Sequence, residues 1–85
     1  MRHRGQPVRR ELHRLIAKLL DYPEELSITE DRHRGGTRYE VLVDRQDLGK
    51  VIGRQGRTAR ALRTLLDVRG RQDGRRYGLE IRGGS

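Results

Sequence analysis

The chain contains no cysteine, no tryptophan and no phenylalanine, and aromatic residues make up 4% of its 85 positions. Without cysteine there is no disulfide, no thiolate nucleophile and no cysteine-based zinc site, a usage that fits a reducing cytosol. With hydrophobic residues at 32%, a core must be built from Leu, Ile and Val, and it will be thin. A chain of this length has room for one small domain and no second core. A large enclosed substrate pocket is disfavoured, and catalysis with it, so the chain reads as a non-enzyme with no cofactor implied. No apolar run approaches the length of a membrane span or a signal-peptide core, and a soluble cytoplasmic protein is expected.

What the chain does have is positive charge. Lys and Arg number 20 against 12 Asp and Glu, for a formal net charge of +8. Such a field attracts polyanions, either nucleic acid or an anionic membrane surface. Lys18 and Lys50 are the only lysines; the remaining cations are arginines, whose planar guanidinium suits phosphate and stacks on bases. Charge by itself does not separate a binding surface from a solvated one.

The periodicities predict an order of elements. Residues 1–7 read as a basic arm, with Pro7 suited to the first turn of a helix. Val8, Leu12, Leu15, Ile16, Leu19 and Leu20 fall at helical spacing with Arg9, Arg10, Arg14 and Lys18 between them, an amphipathic helix ended by Pro23 soon after Asp21. Its two faces would also suit a membrane surface, but so small a core needs the apolar stripe, and no membrane contact is expected. Residues 26–30 predict a strand, residues 31–36 a polar hairpin loop and residues 37–44 a second strand. Tyr39, Val41 and Val43 share a face of that strand, and Leu42 implies that the other face is partly covered too. Asp47 is placed to cap a short helix through Leu48, Val51 and Ile52. After a turn at residues 53–56, a further helix starts at Arg57, with Ala59, Leu62, Leu65 and Leu66 on its inner face. Gly70 and Asp73-Gly74 mark a polar loop, Tyr77, Leu79 and Ile81 one face of a last strand, and residues 83–85 a frayed tail. The order α-β-β-α-α-β predicts a two-layer α+β sandwich, a three-stranded sheet with helices on one face, as one domain over residues 8–82.

The turn Gly53-Arg54-Gln55-Gly56 carries the chemistry. Glycines there permit left-handed dihedrals and close approach of a phosphodiester chain. The helix that follows offers unpaired N–H groups and the positive end of its dipole. Lys50, Arg54 and Arg57 add charge, Gln55 can hydrogen-bond an anion without repelling it, and nothing acidic sits inside the turn. Two glycines three apart are common in helix corners, so it is the setting (strand, short helix, turn, helix, in a basic chain) that gives the motif its weight.

In that setting the run Val-Asp-Arg-Gln-Asp-Leu-Gly-Lys-Val-Ile-Gly-Arg-Gln-Gly-Arg-Thr-Ala-Arg-Ala-Leu-Arg-Thr-Leu-Leu, residues 43–66, resembles the core of the KhpA-like bacterial KH-domain RNA-binding proteins. The resemblance extends over roughly residues 8–82 and is most specific at residues 49–57. It implies the type II KH fold and a cytoplasmic RNA-binding protein, an RNA chaperone or post-transcriptional regulator. It also implies a homodimer, or a heterodimer with a second KH-containing protein. Arg54 stands where such proteins often carry Lys, a change of little consequence for phosphate attraction. KH domains clamp about four nucleotides at this turn, so Gly49, Lys50, Val51, Ile52, Gly53, Arg54, Gln55, Gly56, Arg57 and Arg60 become candidate contacts for single-stranded RNA. Val51, Ile52 and Leu62, with the strand over residues 77–82, become candidate groove residues for the bases. The arginine-rich segment 69–76 corresponds to a variable loop. Single-stranded DNA is a weaker alternative ligand. A protein-interaction subunit with incidental RNA contact is the rival function.

Other patterns carry less. The glycine spacing around Lys50 fits neither a P-loop nor a dinucleotide-binding turn. His3, His13 and His33 are scattered and imply no metal site. Glu24-Glu25 and Glu30-Asp31 read as surface charge, and two isolated Arg-Gly-Gly runs are too few for a disordered RNA-binding box.

Overall fold

A computed structural model describes residues 7–84; the expected arm lies outside the described residues except for Pro7. The elements are α1 (Val8–Ala17), β1 (Ser27–His33), β2 (Gly36–Asp44), α2 (Leu48–Ile52), α3 (Arg57–Asp73) and β3 (Tyr77–Gly84), with single 3-10 turns at Pro23–Glu25, Arg45–Asp47 and Arg54–Gly56. This is the expected α-β-β-α-α-β order of a type II KH fold. The sheet order is β1-β2-β3, with β1 and β2 antiparallel and β2 and β3 parallel. A parallel neighbour cannot be reached by a tight turn, and the α2–α3 crossover supplies the connection. No helix of the described residues is long and apolar enough to cross a membrane.

The core lies between the helices and one face of the sheet. Thr37, Tyr39, Val41 and Val43 of β2 point inward beside Ile28 of β1, and Val8, Leu12 and Ile16 of α1 meet Val51, Leu62 and Leu66 across the layer. The register aligns Tyr39 with Leu79 and Val41 with Ile81, so β3 adds half-buried apolar residues to the same face. The outer face is charged and open. Arg38 pairs with Asp31 at 3.2 Å and Glu40 at 3.0 Å, and Arg82 with Glu80 at 3.4 Å. Leu42 stands exposed among them, so the cover expected over that face is not present among the described residues.

Several boundaries differ from the sequence reading, each for a tertiary reason. Pro7 is the N-cap of α1 rather than its first residue. The helix stops at Ala17, short of the end expected near Asp21, as the N–H groups of Leu19 and Leu20 turn back to the carbonyls of Ile16 and Ala17, tightening the last turn. Leu15 and Leu19 are exposed, while Leu20 packs against the core. The hairpin loop is shorter than residues 31–36, since His33 pairs with Gly36 and leaves a two-residue turn. Polar side chains there do not prevent pairing, because the backbone makes the ladder.

Helix α3 continues through Gly70 to Asp73, so the segment 69–76 is mostly helix and the loop shrinks to residues 74–76. Its C-cap Gly74 is left-handed, as helix ends favour. Gly70 is buried, and a Cβ there would lie 2.6 Å from the Arg75 carbonyl oxygen. It is therefore a packing glycine, not a helix stop. Leu65 is 51% exposed, and only Ala59, Leu62 and Leu66 of the expected inner face are buried. Arg69 ties α3 to α1, donating to Glu11 of α1 at 2.6 Å and, within α3, to Asp73 at 3.2 Å. Tyr77 donates to the same Asp73 carboxylate at 2.5 Å and meets the Tyr39 ring edge-on at 5.6 Å. Burial first, and that hydrogen bond second, push the Tyr77 hydroxyl up to about 12. Gly83 and Gly84 pair with Val43 and Asp44 instead of fraying. A side chain at Gly83 would meet the Arg45 backbone at 3.0 Å.

Candidate nucleic-acid interface

The site begins at Asp44. Its side chain accepts the Gln46 N–H at 2.8 Å and starts the turn out of β2. Asp47, expected to cap α2, makes no capping bond there. It is fully buried and takes the N–H groups of Asp21 at 3.1 Å and Tyr22 at 2.8 Å, fastening the α1–β1 connection beneath α2. Burial would raise this carboxyl, but the two N–H donors and the Lys50 ammonium outweigh it and hold it below the usual value. Lys50 lies 3.0 Å from Asp21 and 3.6 Å from Asp47. The hydrogen bond to Asp21, then that carboxylate's charge, raise the Lys50 ammonium, with Asp47 adding to the effect against a desolvation cost. Part of the Lys50 charge is thus spent within the protein.

Helix α2 closes with the Gly53 N–H on the Gly49 carbonyl at 2.8 Å, and the turn closes with the Gly56 N–H on Gly53 at 3.0 Å. Gly53 has φ 80° and ψ 168°, and a Cβ there would lie 2.3 Å from Thr58 Oγ1. Both constraints demand glycine. Gln55 is the one non-glycine residue with positive φ among those described, at 55°. Its side-chain oxygen accepts from Arg57 at 2.9 Å. Gly56 has φ 73°, and a Cβ there would meet open space. Its lack of a side chain thus leaves the backbone bare toward solvent. As N-cap of α3 it supplies no side-chain acceptor, so the first N–H groups of a 17-residue helix start without a side-chain cap.

Arg54, Arg57 and Arg60 are exposed around this point, and none pairs with a carboxylate among the described residues. Gly49 is exposed, and a Cβ added there would meet open space, so packing does not require glycine there. A cleft of about 390 Å³ runs beside the turn, lined by Ile52, Gly56, Ala59, Arg60, Arg63 and Ile81. Ile52 is 38% exposed, whereas Val51 and Leu62 are core residues at 0% and 5%. Two of the three apolar groove candidates from the helices therefore do not reach the cleft. Their role is to hold α2 and α3 against the sheet. Arg63 was not singled out in the sequence. It stands one turn after Ala59 on the cleft side of α3 and donates to the Leu79 carbonyl of β3 at 3.3 Å. Spacing of four from Ala59 was the available signal, but a bond to a strand 16 residues away has no local signature.

The family model for the KhpA/KhpB KH domain matches residues 9–81. The chain belongs to this family. It is 48% identical over 68 residues to the RNA-binding protein KhpA of Aquifex aeolicus, covering 79% of this chain and 86% of that protein. The KhpA of Treponema pallidum is 44% identical over 72 residues, covering 84% and 90%. That of Listeria monocytogenes is 37% identical over 67 residues, covering 79% and 88%. Within this KhpA/KhpB frame the matched span holds α2, the glycine turn, α3 and the cleft between them and β3.

Proposed function

We propose that this chain binds single-stranded RNA, holding the sugar–phosphate backbone against the turn at residues 53–56 and laying bases over the cleft between Ile52 and Ile81. The observation that carries this reading is the bare backbone at Gly56, ahead of an α3 N-terminus without a side-chain cap and ringed by Arg54, Arg57 and Arg60. Each part favours a phosphate there: N–H donors, the positive end of the helix dipole and charge not spent on carboxylates. Gly53 and Gln55 set the turn, and Lys50 contributes long-range attraction reduced by Asp21 and Asp47. Relatives named as RNA-binding proteins support the same ligand. In this reading the protein works in the cytoplasm as an RNA chaperone or post-transcriptional regulator. Titration of a single-stranded RNA at increasing salt tests it. The logarithm of affinity falls linearly with the logarithm of salt, with a slope of about −0.7 per phosphate neutralised. A flat response overturns the backbone grip.

A second reading, compatible with the first, is pairing of two copies through the groove between α1 and α3. That groove, of about 380 Å³, is lined by Leu12, Leu15, Leu65, Leu66 and Val68 among others. Leu15 and Leu65 are 44% and 51% exposed. Covering the exposed half of each such side chain contributes on the order of 1 kcal/mol, which a small core gains by sharing a face with a second copy. Sedimentation at micromolar concentration is expected to give a dimer, and a monomer there sinks the pairing.

A further inference from the structure

We propose that the chain carries a second contact for the RNA backbone, at the opposite end of α3 from the glycine turn, formed by Arg34, Arg71, Arg75 and Arg76. It rests on the RNA-binding reading above and extends the ligand's path across the molecule.

Two turns meet at this end. The Thr37 N–H donates to the Arg76 carbonyl at 2.8 Å, and the Arg75 N–H donates to the Gly70 carbonyl at 2.8 Å. Gly36 and Gly70 let the strands of this corner close up: a Cβ at Gly36 would lie 2.4 Å from the Arg76 carbonyl oxygen, and one at Gly70 2.6 Å from that of Arg75. The backbone of residues 75–76 is thereby clamped between β2 and α3. The two arginine side chains leave a fixed support and do not hang from a loose loop. With Arg71 on the last turn of α3 and Arg34 on the hairpin turn, they line an open cleft of about 680 Å³.

The charges there are uncompensated. Elsewhere on the sheet and helices, Arg32, Arg38, Arg69 and Arg82 pair with carboxylates. None of Arg34, Arg71, Arg75 and Arg76 does so among the described residues, and all four are exposed. The acid in this cleft, Asp73, is engaged by Arg69 at 3.2 Å and the Tyr77 hydroxyl at 2.5 Å. Asp67 stands on the wall of the adjoining cleft and forms no ion pair with the four. The C-terminal end of α3 opposes an anion in principle. Its carbonyls at Gly70 and Arg71 are already taken by the Arg75 and Gly74 N–H groups. Four like charges gathered at one point repel one another, and packing requires none of these exposed guanidinium groups. An anion relieves the repulsion.

An extended polyanion fits better than a small one, because the cleft is open and its arginines stand on two separate turns. Helix α3 has 17 residues, so its ends lie about 25 Å apart at ~1.5 Å per residue. A strand stacked at ~3.4 Å per nucleotide needs about seven steps to cover that distance, more than the roughly four nucleotides held at a KH turn. A tetranucleotide therefore engages the glycine turn alone, and a dodecanucleotide reaches both ends.

Fluorescence anisotropy with oligouridylates of four and twelve nucleotides tests this. For the wild-type chain the longer RNA is expected to show a steeper salt dependence, by about 2 in the log–log slope for three further phosphates. The triple variant Arg71→Gln, Arg75→Gln, Arg76→Gln should lose on the order of tenfold in affinity for the dodecanucleotide while binding the tetranucleotide as before. Unchanged dodecanucleotide binding by the folded variant overturns the proposal, as does an equal loss for both lengths. If the variant does not fold, equal slopes for the two RNAs on the wild-type chain overturn it on their own. A wild-type chain that binds neither RNA removes the RNA-binding reading itself, a result distinct from loss of the second contact alone.

Discussion

Replacing Arg54 and Gln55 together by aspartate is expected to remove most RNA binding and to leave the circular dichroism spectrum native. The change removes one positive charge and places two negative charges at the proposed phosphate contact. Near a protein surface each such charge acts strongly at contact distance, and a loss of about hundredfold or more is expected once all three changes act together. The new carboxylate at position 55 also competes with phosphate for the Arg57 guanidinium, which Gln55 now engages as a neutral acceptor. Folding is spared for two reasons. Both side chains are exposed, and aspartate is among the residues that best tolerate the left-handed dihedrals found at position 55. A native spectrum with unchanged affinity for single-stranded RNA refutes the glycine turn as the site.

Asp47→Ala is expected to produce the largest loss of stability. The carboxylate is fully buried and is the acceptor for two backbone N–H groups of the α1–β1 connection, with Lys50 close by. Alanine leaves both donors without their acceptor and leaves a void where α2 rests on that connection. For a domain of this size the melting temperature should fall on the order of 15 °C. Asp47→Asn keeps the shape and one acceptor oxygen and should lose less. The pH dependence has a definite sign. The folded-state carboxyl is held below its ordinary value, so its contribution is present above the unfolded carboxyl value, near 3.9. It is lost as pH falls through the lower folded value. The gap in stability between the wild type and Asp47→Ala therefore narrows in strong acid, widens as pH rises from the folded toward the unfolded carboxyl value, and is full above about 4. Thermal unfolding across that range checks this; curves that stay parallel contradict it, and equal melting temperatures at neutral pH remove the role given to Asp47.

The two experiments probe layers that depend on each other. The glycine turn lies between α2 and α3, and α2 sits over the segment that Asp47 fastens. Loosening Asp47 should weaken the support of Lys50 and the turn as well as the fold. The aspartate pair in the turn changes the ligand contact and little else.

The element order, the two-layer architecture and the glycine turn could be read from the chain because each depends on local pattern. Period-two alternation in β2 places Tyr39, Val41 and Val43 on one face whatever lies above them. The glycines at 53 and 56 allow positive φ wherever the turn is placed. Tertiary structure decided what is shared between distant segments. A helical stripe wide enough to include Leu62, Leu65 and Leu66 does not say which of them α1 and the sheet cover, and it is Leu65 that remains outside. Likewise Val51 and Ile52 are neighbours in sequence, yet one is core and the other borders the cleft, because successive helical residues point about 100° apart. Asp47 looked like a local cap and instead serves N–H groups 25 and 26 residues away. Gly70 looked like a loop signal and instead lets Arg75 pack close. The same holds for charge. Composition announces an excess of arginine, but only the pairing of strands and turns determines which guanidinium groups meet a carboxylate and which stand free for an anion.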